Sequence, residues 1–199
     1  MGYSEVNWSL PRALQEIIER QNIFDGTWSK TSSTGWMFVP LTEYHGGGVA
    51  ATIEPLNERL EHYNQRLENL FCAGVQTVYR GPRLYNTDST KTVVKEWIDF
   101  YKKHRQILDY DIIHLHRPDG RDWDGFLHVN PTTDEKGLLR LYNQLKEKIT
   151  RTLEISVYYS GLSSFETIRE RDGTARKFNI SQDYKITLEV TLLSKGYSW

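Results

Sequence analysis

Six residues that could contact a polar ligand follow two stretches of the chain that are predicted to be strands. They are Glu43, Tyr44 and His45 after the first stretch, and Arg80, Arg83 and Tyr85 after the second. Sugars present many hydroxyl groups and one apolar face, so charged hydrogen-bonding groups mixed with aromatic rings suit them. The six residues are therefore candidates for sugar binding. The alternative is structural, with the arginines paired to nearby carboxylates and Tyr44 packed.

Helical periodicity runs from the start of the chain to about residue 108. Ser9 is placed to cap a first helix, with Pro11 in its first turn. The apolar residues predicted to face inward are Leu10, Leu14, Ile17 and Ile18, and those predicted to lie outside this face are Glu16, Glu19 and Arg20. The spacing is that of an amphipathic helix packed on one side.

Two short apolar runs, residues 35–41 and 75–79, predict strands buried on both faces. A second helix begins at Pro55 and ends at Gly74, and Asp88 or Ser89 caps a third. Their inward stripes are Leu56, Leu60, Tyr63, Leu67 and Leu70 in the second helix and Val93, Val94, Trp97, Ile98 and Tyr101 in the third. Strands that alternate with helices indicate parallel β/α units.

From about residue 109 the period changes to two, which is typical of strands with one buried face. The predicted strands are 111–116, 126–130, 138–142, a long one with Ile149, Leu153, Ile155, Val157 and Tyr159 on one face, and one with Ile186, Leu188, Val190 and Leu192 on one face. Asp172 and Gly173 separate two further strands and predict a hairpin. Six to eight short strands at this spacing favour an antiparallel β-sandwich.

The β/α half is too short to form a fold of its own. A complete (β/α)8 barrel takes about 250 residues, and residues 1–108 supply its last quarter to third at most. Either neighbouring sequence is missing or the two strands pair with another chain, and a fragment is the simpler explanation. The exposed strand edges then predict self-association.

The order and spacing of these elements resemble the C-terminal part of clan D glycoside hydrolases, the α-galactosidase-like enzymes. Residues 97–105 look like the last barrel helix, 109–118 like the first sandwich strand, 36–45 like barrel strand seven with its loop, and 75–82 like strand eight. The implied fold class is α/β plus all-β. Residues 1–108 would be the last two or three β/α units of a barrel, and residues 109–199 an antiparallel β-sandwich.

The resemblance implies hydrolysis of an α-linked sugar by the full-length protein. Retaining glycosidases need two carboxyl groups about 5–5.5 Å apart, and the family's nucleophile follows barrel strand four, which this sequence does not contain. Glu5 is the only carboxylate near the position where the resemblance places the acid/base. The family has an aspartate just after a tryptophan there, and no aspartate follows Trp8 in this sequence. The isolated chain is expected to be inactive. The alternative is a non-catalytic carbohydrate-binding or structural β-sandwich module.

Composition argues against nucleic acid and membranes as partners, and the carbohydrate partner is what the resemblance implies. The 199 residues carry 25 Lys and Arg against 26 Asp and Glu, a net charge of −1, which gives no long-range attraction to nucleic acid or an anionic membrane. No apolar run approaches the 18 or so residues of a membrane span. The single cysteine, Cys72, excludes an internal disulfide and a multi-cysteine zinc site, and it is expected to be a small buried apolar residue.

Three other patterns are expected to be structural, so neither a metal nor a cofactor is predicted. The triple glycine at 46–48 lacks the Lys-Ser/Thr of a phosphate loop. His114, His116 and the nearby His128 are better explained as outward positions of a half-buried strand than as a metal site. An acidic cluster at Asp119, Asp122 and Asp124 is expected at a solvated hairpin tip, since its spacing is not that of a calcium-binding loop.

Overall fold

The computed structural model describes residues 10–27, 35–38, 48–74, 76–79 and 82–199, with the backbone alone at 35–38, 76–79 and 165. The chain divides into two compact units, Met1–Asp109 and Tyr110–Trp199. Among the described residues, no helix is both long enough and apolar enough to cross a membrane.

The first unit alternates helices with two parallel strands. Its elements are α1 (Arg12–Thr27), β1 (Gly35–Phe38), α2 (Gly48–Ala51), a 3-10 turn (Leu56–Arg59) leading into α3 (Leu60–Cys72), β2 (Gln76–Tyr79) and α4 (Asp88–Leu108). β1 pairs with β2 in parallel, from Gly35 opposite Gln76 to Phe38 opposite Tyr79. The predicted alternation and the parallel pairing are confirmed, whereas the identity of this unit as a barrel segment stays a prediction.

The predicted inward face of α1 was wrong. Leu14 is 49% exposed, while Gln15 and Glu19 are completely buried and Arg20 is nearly so. Periodicity alone assigned the polar residues to solvent because it takes no account of partners elsewhere in the chain. Polar side chains on α3 supply those partners.

A polar seam, defined here as Gln15, Glu19, His62, Arg66 and Asn69, joins α1 to α3. The Arg66 guanidinium donates from Nε to Glu19 Oε1 at 2.8 Å, and Asn69 Nδ2 donates to Glu19 Oε2 at 3.0 Å. Arg66 also donates to Gln15 Oε1 at 3.2 Å. Burial raises the pKa of Glu19, and Arg66 and Asn69 oppose that shift. Both carboxylate oxygens are thus hydrogen-bonded, as a buried charge requires.

The predicted stripe of α3 is largely confirmed, and that of α4 in part, since Val94 and Trp97 are buried. Leu56, Tyr63, Leu67 and Leu70 are buried as predicted, and Gly74 adopts a positive φ of 64° after α3, which glycine tolerates at a helix end. The cap of α4 is Thr87 in place of the predicted Asp88 or Ser89. The Thr87 hydroxyl oxygen accepts from Thr90 N–H, and the Thr90 hydroxyl oxygen accepts from Thr87 N–H, which is a reciprocal capping box. These two hydrogen bonds place the cap at Thr87, although Asp and Ser are also favoured capping residues. Cys72 is buried, as predicted.

The second unit is built from antiparallel strands, as predicted. They are β3 (Asp111–His116), β4 (Trp123–Val129), β5 (Gly137–Asn143), β6 (Ile149–Ser156), β7 (Phe165–Ile168), β8 (Arg176–Asn179), β9 (Lys185–Leu192) and β10 (Tyr197–Ser198). The sheet orders are β10-β5-β4-β3, β6-β9 and β7-β8. The β7–β8 hairpin spans Asp172 and Gly173 as predicted. The description of the unit as a β-sandwich stays a prediction.

One apolar cluster joins the four-stranded sheet to the β6–β9 pair. It contains Leu127, Val129 and Leu141 from the first, and Ile149, Leu153, Ile155, Ile186, Leu188 and Leu192 from the second. In β6 and β9 the cluster residues alternate with more exposed ones, so the period-two prediction of an inward face is confirmed for these two strands. Tyr159 is the exception: β6 ends at Ser156, and Tyr159 lies beyond it with 62% of its surface exposed.

The other face of the four-stranded sheet buries polar side chains among apolar ones, which corrects two predictions. Asp124 is 2% exposed and His128 is fully buried, so neither lies at a solvated tip or an outward position. Arg140, also fully buried, lies with its guanidinium carbon 4.1 Å from the centroid of the Tyr197 ring. The hairpin tip ends earlier than predicted, because β4 starts at Trp123 and not at Phe126.

We expect the Glu19–Arg66 pair to dominate the stability of the first unit. The Arg66→Met variant leaves the buried Glu19 carboxylate without its charged partner and should lower the free energy of unfolding by about 3–5 kcal/mol. The double variant with Glu19→Leu should recover at least half of this loss, because no unpaired charge remains buried. Urea denaturation measures both. The exposed pair of Arg169 with Glu135 is the control, where Arg169→Met should cost at most about 1 kcal/mol. A double variant no more stable than Arg66→Met would contradict this role.

The seam also predicts a pH dependence through His62. Burial lowers the pKa of His62 below its ordinary 6.5, although the hydrogen bond to Glu16 opposes the shift. The unfolded chain therefore binds a proton more readily than the folded one, and the contribution of His62 is complete above pH 6.5 and lost as the pH falls through its folded pKa. His62→Gln should flatten the stability profile between pH 7.5 and about 5. A variant profile parallel to that of the wild type would rule this out.

Candidate functional site

The two parallel strands end side by side, so the segments after them leave the same edge. Phe38 and Tyr79 are the last residues of β1 and β2 and are paired in register. Glu43, Tyr44 and His45 follow β1 in the sequence and Arg80 follows β2, and all four lie outside the described residues, as does Glu5. Of the six predicted binding residues, the structure therefore describes Arg83 and Tyr85.

Arg83 and Tyr85 lie close together on the segment after β2, and both are accessible. Arg83 has 56% of its side chain exposed, and its Nε lies 3.7 Å from Glu54 Oε1. Tyr85 is 46% exposed, and Lys91 Nζ lies 5.7 Å from the centroid of its ring. The alternative in which the arginine pairs with a nearby carboxylate thus holds for Arg83, although the pairing leaves its donors open to solvent.

Glu54 is the residue that the sequence reasoning missed. It belongs to the segment after β1, just before the 3-10 turn, and its side chain is only 10% exposed. Its Oε1 is buried and has no hydrogen-bond partner among the described residues, because 3.7 Å to Arg83 is within ion-pair range but too long for a hydrogen bond. No motif marks Glu54, and its position before Pro55 at a predicted helix start was the only available signal.

The segment that carries Arg83 and Tyr85 is fixed from α3. The hydroxyl group of Tyr63, a fully buried residue, donates to the carbonyl oxygen of Leu84, which lies between the two accessible residues. Asn86 then donates through Nδ2 to Asn57 Oδ1 on the 3-10 turn. The segments after β1 and β2 are therefore joined by direct contacts, as the parallel pairing requires.

The segment after β1 is fixed from α1. Arg12 donates to the carbonyl oxygens of Val49 and Thr52 at 2.7 and 2.8 Å, and Gln15 Nε2 donates to that of Ala51 at 3.1 Å. Partial burial and the nearby Arg59 both lower the pKa of Arg12. Glu54 thus follows a backbone stretch that is held at three carbonyl oxygens, those of residues 49, 51 and 52.

The arrangement is suited to binding a polyhydroxylated ligand. Arg83 offers a fork of N–H donors, Glu54 an oxygen that can accept, and Tyr85 an aromatic ring. Among the described residues, no group of three or more His, Cys, Asp or Glu side chains is placed to hold a metal ion.

Comparisons with known proteins found solved structures that are similar to this one. No family model and no curated protein matches the chain. The structure is similar to AmyP in complex with maltose, with a TM-score of 0.53 and 8% identity over 98% of this chain and 48% of AmyP. A candidate α-galactosidase from Bacteroides fragilis aligns with a TM-score of 0.49 and 17% identity over 89% of this chain and 36% of that protein.

The chain shares its fold with AmyP and spans about half the length of the AmyP chain, at 48%. At this level of identity the similarity concerns the fold alone. The match extends across the helices with the parallel strand pair and the antiparallel sheets that follow them.

We expect the Tyr63 hydroxyl to stabilise the segment after β2. Tyr63→Phe leaves the Leu84 carbonyl without this donor and should lower the free energy of unfolding by about 1 kcal/mol or more. Tyr101→Phe is the matched control, since its hydroxyl bonds the exposed carboxylate of Asp109 and should cost less. Chemical denaturation of both variants decides the point, and equal losses would count against a special role for Tyr63.

Proposed function

We propose that this chain is the C-terminal portion of a glycoside-hydrolase-like protein that acts on an α-linked carbohydrate. In this proposal residues 1–108 complete a (β/α)8 barrel as its last two or three units, and residues 109–199 form the associated β-sandwich. The observation that carries it is the fold shared with AmyP, a protein solved with maltose, over 98% of this chain but 48% of the other. That asymmetry fits a chain that corresponds to part of a larger architecture.

The parallel strand pair supports the same proposal. In barrel enzymes the segments after the strands build the active-site face. Here those segments meet through the Arg83–Glu54 ion pair and the contact between Asn86 and Asn57. The proposed sugar-binding group is Glu54, Arg83 and Tyr85, to which Glu43, Tyr44, His45 and Arg80 are added from the sequence.

The proposed role of this chain is to bind substrate, with chemistry that depends on the missing part. Retaining hydrolysis requires a nucleophilic carboxylate and an acid/base about 5–5.5 Å apart. The resemblance assigns the nucleophile to a barrel strand outside this sequence and leaves Glu5 as the acid/base candidate. The chain alone is therefore expected to bind carbohydrate without cleaving it, and it needs no metal or cofactor to do so.

Arg83 tests the binding role directly. The Arg83→Ala variant removes an accessible guanidinium with its N–H donors. It should weaken the binding of maltoheptaose or an α-galactosyl oligosaccharide about tenfold, which corresponds to the loss of one charge-assisted hydrogen bond. Titration calorimetry on the full chain compares Arg83→Ala with Arg169→Ala, a similarly exposed arginine that pairs with Glu135 in the second unit. Unchanged affinity in Arg83→Ala, or the same loss in both variants, would contradict the proposed site.

The size of the native protein tests the larger part of the proposal. An antibody raised against residues 109–199 should detect, in the source cells, a band far above 23.3 kDa. Such a band would direct the search for the carboxylate pair to the remaining part. A native band at 23.3 kDa would overturn the proposal of a hydrolase portion and leave binding or assembly as the function of a short protein.

A further inference from the structure

Three exposed tyrosines form a compact patch on the second unit, far in sequence from the loops after β1 and β2. Tyr158, Tyr159 and Tyr184 have 58, 62 and 42% of their surfaces exposed. The Tyr158 ring is central: its centroid lies 5.2 Å from those of both neighbours, at interplanar angles of 89° and 88°. We call these three residues the tyrosine patch. No ring in it is stacked face to face on another.

The backbone holds the patch in a defined position. Tyr158 and Tyr159 belong to a 3-10 turn that follows β6 and is closed by the buried Ser160, whose Oγ donates to the Val157 carbonyl oxygen at 2.5 Å. Tyr184 is in the turn before β9 with a φ of 59°, which is uncommon for an aromatic residue. Its carbonyl oxygen accepts from Val157 N–H at 2.8 Å, so the two turns are joined.

Charged groups beside the patch are few and nearly balanced. Asp183 and Lys185 flank Tyr184 in sequence, and Lys185 Nζ lies 3.2 Å from Asp183 Oδ2 and 3.7 Å from Glu154 Oε2. All three side chains are accessible, at 63, 44 and 67% exposure for Asp183, Lys185 and Glu154. Such a border can donate to and accept from hydroxyl groups, whereas an anionic ligand would need an excess of cations.

The size of the patch favours a small ligand over a second protein. From these exposures the three side chains offer roughly 240–400 Å², whereas a stable protein interface takes about 800 Å² from each partner. A pyranose ring has an apolar face that matches one aromatic ring and hydroxyls at its edge that match the charged border. Rings already held in place also reduce the ordering cost of binding.

We propose that the tyrosine patch is a binding site for neutral α-linked oligosaccharides within the second unit. This inference rests on the proposed carbohydrate function. It gives the second unit a binding role of its own, which would hold whether or not the first unit takes part in hydrolysis.

Amide NMR of the full ¹⁵N-labelled chain titrated with maltoheptaose tests the proposal, because it separates the two places. The expected result is a shift of the resonances of residues 157–161 and 183–185. Tyr158→Ala with Tyr159→Ala should weaken this binding at least about tenfold, since two stacking rings are removed. Tyr158→Phe with Tyr159→Phe should retain most of it, because the rings remain.

Tyr110→Ala is the matched control, as Tyr110 is 50% exposed and belongs to the same unit. All these positions are at the surface, so each variant should fold with a stability within about 1 kcal/mol of the wild type, which a thermal melt checks. An alanine pair that binds as tightly as Tyr110→Ala would overturn the proposal.

The remaining outcomes separate this proposal from the proposed function. Shifts at residues 82–87 without shifts at the patch would overturn the patch and support the loop site. Absence of shifts in both places would overturn both. If the wild type dimerises and the alanine pair does not, with no sugar-induced shift at the patch, the patch is a contact between copies and the proposal is wrong.

Discussion

The buried ion pair between Glu19 and Arg66 is the interaction on which the first unit depends. Glu19 is completely enclosed, and both of its carboxylate oxygens accept hydrogen bonds from α3. Burying a charged side chain costs several kcal/mol of folding free energy unless its partner lies at hydrogen-bond distance. We infer that this requirement fixes the register of α1 against α3 more strictly than apolar packing would, since apolar side chains can be exchanged or shifted at lower cost.

The same seam positions the candidate site. Gln15 lies one turn before Glu19 on α1 and donates to the end of α2, which precedes Glu54. Tyr63 lies about one turn before Arg66 on α3 and holds the carbonyl of Leu84, beside Arg83. The segments after both parallel strands are therefore held by hydrogen bonds from buried residues of α1 and α3. A change in the packing of α1 on α3 would move the acceptor at Glu54 and the donor at Arg83 relative to each other.

Periodicity predicted the elements of this fold better than the direction of its polar residues. The stripe of α3 and the alternating face of β6 and β9 were predictable, because an apolar stripe is removed from water whatever its partner is. The β7–β8 hairpin was predictable from the turn residues Asp172 and Gly173. The burial of Glu19 was not, because it depends on Arg66 and Asn69, which are distant in sequence. The burial of Asp124 and His128 was not predictable from alternation either, since β4 is buried on both faces. Leu14 shows the converse: once α1 buries a polar face, its apolar residue is left in solvent.

Residues that could contact a ligand lie just beyond the ends of regular elements, where periodicity ceases to constrain orientation. Arg83 and Tyr85 were predictable as binding candidates because position after a parallel strand is enough to place them at the right edge. Glu54 was missed because nothing in its local pattern shows that it faces Arg83. Tyr159 continues the alternation of β6 in sequence, yet it is exposed because the strand ends at Ser156. The pattern that identifies a core residue thus fails where a strand stops.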